Sequence, residues 1–135
     1  MDKKLFHNLI DVLDKTIKAY TQLKVLFEEK RDLLKSANPD DLGITDNKIM
    51  SLNNQIKQLN KSRTELALKI CGEDVNMSGF VEIAEIKAPE FVEPLNERKV
   101  KICKLVPELT LLNNQNVELL KHGIIMTNKM LETVI

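Results

Sequence analysis

The sequence predicts an all-α protein, an antiparallel helical bundle or coiled-coil hairpin of three long helices plus one short helix. Two observations carry that prediction. Apolar residues recur at alternating steps of three and four over stretches of about thirty residues, a spacing that places them on one side of a helix. Turn-formers and aromatics are scarce: among 135 residues there are four Gly, four Pro, one Tyr and no Trp. A chain rich in Leu, Lys, Glu and Ile with so few breaks favours long helices over sheets.

The first helix is expected over about residues 3–36. Phe6, Ile10, Leu13, Ile17, Tyr20, Phe27 and Leu34 make one seam, broken only by Lys24 and Arg31. Leu5, Leu9, Val12, Ala19, Leu23, Leu26 and Leu33 make a second beside it, broken by Thr16 and Lys30. Two adjacent seams form a wide apolar face, so this helix should touch at least two neighbours. In "SANPDDLGIT", Asn38 suits a cap, Pro39 a first helical position, and Asp40 and Asp41 the positive end of a helix dipole. Gly43 is expected to end that short turn. A second long helix is then predicted over about 45–71, along Ile49, Leu52, Ile56, Leu59, Leu66 and Ile70, with Arg63 in one apolar slot and Gly72 as terminator.

Residues 72–94 hold two Gly and two Pro. A short helix is expected over about 78–87, capped by Ser78, with Phe80, Ile83 and Ala84 against the bundle. The last long helix is expected over about 95–133. Pro107 should kink or interrupt it near Val106, and the spacing resumes through Leu109, Leu112, Leu119, Met126 and Met130. The whole reads as one helical domain, residues 1–135.

Composition excludes several functions. Twenty basic and twenty acidic residues cancel, so the basic field that displaces counterions from nucleic acid is missing, as is a polybasic membrane patch. The N-terminal "MDKKLFHNLIDVLDK" is interrupted by charge every few positions, unlike a signal peptide or membrane span, which points to a cytoplasmic protein. Cys71 and Cys103 read as reduced, packed thiols. His7 and His122 fall in separate helices, no Glu-x-x-His or Cys-x-x-Cys pattern occurs, and Glu118 with His122 reads as a surface pair. No cofactor, metal or catalytic group is predicted.

The amides of "LNNQNVELL" are more informative. By register Asn116 takes a seam slot between Leu112 and Leu119, and Asn113 takes the adjacent seam between Val106 and Val117–Leu120. Both are therefore expected to face inward, where each needs a hydrogen-bond partner. They could fix helix register, as a polar seam residue does in a coiled coil, or contact a ligand backbone. Further on, Gly123 leaves a gap, and Leu120, Ile124, Ile125, Met126, Met130, Leu131 and Val134 form an apolar strip with no closing signal. Such a strip, with its flexible methionines, suits a partner helix.

This layout resembles the FlgN family, the cytosolic export chaperones of the bacterial flagellar type III system. The family's last helix carries a Leu-Asn-x-x-Asn-x-x-Leu-Leu pattern, matched by Leu112, Asn113, Asn116, Leu119 and Leu120. Asp40, Asp41, Lys48 and Arg63 stand where members show an acidic turn, a Lys and an Arg. The resemblance implies a non-enzymatic chaperone that holds hook-associated proteins (FlgK/FlgL type, of the hook–filament junction) through their C-terminal helices. It also implies delivery to components of the export apparatus. Members often continue into a tail with an aromatic docking contact; no aromatic follows Phe91 here, so that contact does not carry over. The other readings are a chaperone of the filament cap or of virulence-type secretion, and a structural coiled coil that self-associates. The two seams serve a monomeric bundle and a homodimer equally.

Overall fold

The computed structural model describes the backbone of residues 3–36 and 38–134 and the side chains of residues 3–36 and 38–121. Its elements are α1 (Lys3–Ser36), α2 (Pro39–Cys71), α3 (Met77–Lys87), a 3₁₀ turn (Pro89–Phe91) and α4 (Val92–Val134). No strand occurs among the described residues, so the chain has the all-α fold expected of it.

The helix starts differ from the sequence reading, each for a local reason. α2 begins at Pro39 rather than 45 because the cap at Asn38 is strong. Its Oδ1 accepts from the Asp41 N–H at 3.3 Å while its Nδ2 donates to the Asp41 carboxylate at 2.9 Å. Gly43 then lies inside the helix; an exposed glycine there costs about 1 kcal/mol against alanine but does not break the ladder. α3 is capped by Asn76 rather than Ser78, its Oδ1 accepting from the Gly79 N–H at 3.0 Å. α4 begins at Val92 rather than 95, since Pro94 falls in the first turn, where an N–H has no intrahelical acceptor. Pro107 does not interrupt α4. It and Cys103, whose carbonyl loses its donor, are both exposed, so water can satisfy that carbonyl. Gly72 ends α2 as expected, in the left-handed conformation with φ 79° and its N–H on the Leu68 carbonyl.

Contacts along the bundle give the topology. Lys30 meets Asp46 at 2.8 Å, so α1 and α2 are antiparallel. Lys3–Glu90, Asp14–Arg98, Lys24–Glu108 and Phe27–Asn116 rise together in number, so α1 and α4 run parallel. α1 is the shared element: among the described residues α2 and α4 each pack along α1 and only marginally on each other. Its buried residues, Phe6, Leu9, Leu13, Thr16, Ala19 and Leu23, are drawn from both predicted seams. Thr16 satisfies its hydroxyl on the Val12 carbonyl at 2.8 Å.

The core has two parts. At the end holding the start of α1, Phe6, Leu9 and Leu13 pack with Leu66, Ala67 and Ile70, and α3 and the 3₁₀ turn close it with Phe80, Phe91 and Leu95. Phe6 stacks on Phe91 with ring centroids 5.2 Å apart. Further along, Ala19, Leu23, Ile49, Leu52 and Leu109 make a thinner cluster.

Three of the cations that break the apolar seams are paired with a neighbouring element. Lys24 reaches Glu108 at 2.9 Å and Lys30 reaches Asp46. Arg63 donates to the Val75 carbonyl at 3.2 Å, pinning the loop before α3. The hydrogen bond between Lys24 and Glu108 raises the lysine pKa and lowers the glutamate's. Their long stems lie along the seam while the charges meet at its edge.

Candidate functional site: the open seam of α4

Only one face of α4 is covered in its upper half, because α1 is its one long neighbour there. Leu109, Leu112 and Asn116 are buried on that face and Leu119 is half-buried. One position round the helix runs a second series, Val106, Thr110, Asn113, Val117 and Leu120, at the same steps of four and three. All five are exposed; Val106, Val117 and Leu120 keep 44%, 41% and 46% of their surface in water.

Asn113 and Asn116 therefore part company. Asn116 faces inward as expected, 3% exposed, and its Nδ2 donates to the Phe27 carbonyl of α1 at 3.0 Å. Its Oδ1 is buried without a partner. Asn113 does not face inward. It lies on the open seam because, among the described residues, no helix packs along that side of α4 to bury it. Of the family-pattern residues, Leu112 and Asn116 are core, Leu119 is at its edge, and Asn113 and Leu120 are on the surface. Of the predicted strip, Leu120 is exposed as expected, and Ile124, Ile125, Met126, Met130, Leu131 and Val134 lie outside the described side chains. Sequence reasoning placed Val106 and Val117 on the second seam but not in the site; their spacing with Leu120 was the available signal.

Asn116→Leu should give a chain that stays folded and melts at the same temperature or slightly higher. It removes a buried acceptor with no donor, a defect of about 1–3 kcal/mol, in exchange for one lost hydrogen bond of about 1 kcal/mol. A register role predicts a wider spread of oligomeric species as well. Thermal melting with light scattering reads both, and an unchanged species distribution rules that role out. Asn113→Leu, on the surface, should leave the melting temperature where it is.

The remaining chemistry is sparse. No group of three metal-ligating side chains occurs among the described residues. Burial pushes the half-buried Cys71 thiol pKa up, which keeps it protonated and unreactive. No described helix is long and apolar enough to cross a membrane. What the described surface offers is a place for another helix to lie.

The model of the FlgN protein family matches residues 1–134. No curated protein and no solved structure matches the chain. With a match over nearly its full length, the chain belongs to the FlgN family of flagellar export chaperones, a chaperone family rather than an enzyme family.

Proposed function

We propose that the protein binds hook-associated proteins in the cytoplasm, through their apolar C-terminal helices, and holds them unassembled until the export apparatus receives them. The observation that carries this reading is the open seam of α4. Val106, Val117 and Leu120 keep helix spacing beside a buried seam, and the same steps continue in the sequence to Ile124, Leu131 and Val134. A helix laid along that line would add a second neighbour to α4, much as α1 is the first. Apolar surface taken from water contributes about 25 cal/mol per Å², less the cost of association. The methionines at 126 and 130 suit clients of differing shape.

Cutting the chain after His122 is the test. The truncated protein should keep the helicity of α1 and α2 and lose its affinity for the C-terminal segment of a hook-associated protein, read by circular dichroism and calorimetry. Binding as tight as that of the whole chain would move the site elsewhere, most simply to α1. Outright unfolding would make those residues core, and the docking strip would be abandoned.

A further inference from the structure

Four cations occupy slots of the apolar seams, and among the described residues Arg31 is the one that no neighbouring element answers. Lys24 and Lys30 find acceptors on facing helices, and Arg63 finds one in the loop before α3. The acid paired with Arg31 is Asp32, the next residue, 3.7 Å from its Nε, and that Nε is buried with no hydrogen bond. An N–H in that condition is unfavourable, because it has lost water without gaining an acceptor, while the rest of the guanidinium stays partly exposed.

Arg31 lines a groove of about 660 Å³ between α1 and α4, with Lys35 one turn further along α1 and with Asn114, Gln115, Glu118 and Leu119 on the α4 side. Glu118 is drawn to Lys121 on its own helix, at 3.7 Å. No ion pair involves Lys35 among the described residues. The α1 wall thus carries two cations about 6 Å apart along the axis, Arg31 held only by its sequence neighbour Asp32 and Lys35 by no acid among the described residues, above a half-buried leucine. Asn114, Gln115 and Glu118 are on a different flank of α4 from Asn113, Val117 and Leu120.

We propose that this groove is a second docking site, and that it takes an amphipathic client helix bearing two carboxylates one turn apart. One carboxylate would accept from the Arg31 fork and the other from Lys35, while an apolar side chain of the same helix covers Leu119. Planar guanidinium groups suit a carboxylate better than any other side chain, and the i, i+4 spacing of the two cations matches that of two acids on a facing helix. The inference rests on the chaperone reading above and extends it: the open seam holds any apolar helix, whereas the groove selects acidic ones and speeds their encounter.

The test uses the full chain and, as probe, the C-terminal segment of a hook-associated protein that carries acids at that spacing. Arg31→Gln and Lys35→Gln should each weaken binding about tenfold and flatten its dependence on salt. Neutralising either of the probe's acids to an amide should cost about the same factor, and neutralising the acid that faces Arg31 should cost nothing further against Arg31→Gln. Arg31→Glu should recover affinity for a probe whose matching glutamate is changed to arginine. Lys35 is exposed, so Lys35→Gln keeps the test valid even where an Arg31 variant folds poorly. Unchanged affinity in both glutamine variants overturns the proposal, as do losses that simply add to those of the probe. A lowered melting temperature with unchanged affinity would instead mean that Arg31 closes onto the orphaned oxygen of Asn116, an internal pair and no docking site. If the unaltered chain fails to bind the probe, the hook-associated client falls and the groove falls with it. Binding by the unaltered chain that ignores Arg31 and Lys35 removes the groove alone.

Discussion

Phe6→Ala should lower the unfolding free energy by about 3–5 kcal/mol, the range for removing a fully buried aromatic side chain. Phe6 is 0% exposed and stacks on Phe91, which belongs to the turn that joins α3 to α4. The cavity would open where α1, α2, α3 and α4 all contribute side chains, leaving no single element free to collapse into it. A chain of this kind has about 5–15 kcal/mol in total, so one substitution could consume most of the margin. Urea titration should show a lower midpoint with an unchanged slope. A loss under about 1 kcal/mol would mean that this end of the bundle is not the main core.

Val117→Glu combined with Leu120→Glu should behave in the opposite manner, sparing the fold and abolishing client binding. Both side chains keep over 40% of their surface in water, so charges there meet solvent in the free protein. Under a bound helix the same carboxylates would be desolvated with no partner. Losing two apolar contacts and gaining two stranded charges amounts to about 3 kcal/mol or more, at least a hundredfold in affinity. Calorimetry against the C-terminal segment of a hook-associated protein measures that loss, with the melting temperature as control. Retained binding would refute the open seam as the client site. Leu112→Ala supplies the contrast: one turn away but buried, it should destabilise the chain by about 2–5 kcal/mol.

The long helices were legible because their period is a property of the chain alone, and α1, α2 and α4 appear where the three-four steps run. The site was legible only in outline. Asn113 and Asn116 are three apart on one helix, and both fell on seams by register. Which seam is covered depends on how many helices stand beside α4, a tertiary fact that no local pattern contains. Gly43 misled in a similar way: a glycine after an acidic turn reads as a stop, yet a strong cap and a proline at the first position carried the helix through it. Lys24, Lys30 and Arg63 looked like flaws in the apolar series. Their partners, Glu108, Asp46 and the Val75 carbonyl, come from other elements, and a one-dimensional reading cannot pair them.

The parallel pairing of α1 with α4 also fixes an order of events during synthesis. The α1–α2 hairpin joins helices that follow one another directly, and can close in microseconds once both have emerged from the ribosome. The partners that join α1 to α4 are 84 to 89 residues apart, which at 5–20 residues per second is roughly 4–18 s of translation. During that interval α1, alone at first and then paired with α2, carries an uncovered apolar flank, the one that α4 will later fill. A member of a chaperone family thus passes through a stage at which its own first helix is uncovered. Non-local pairing makes that docking the slow step of its folding.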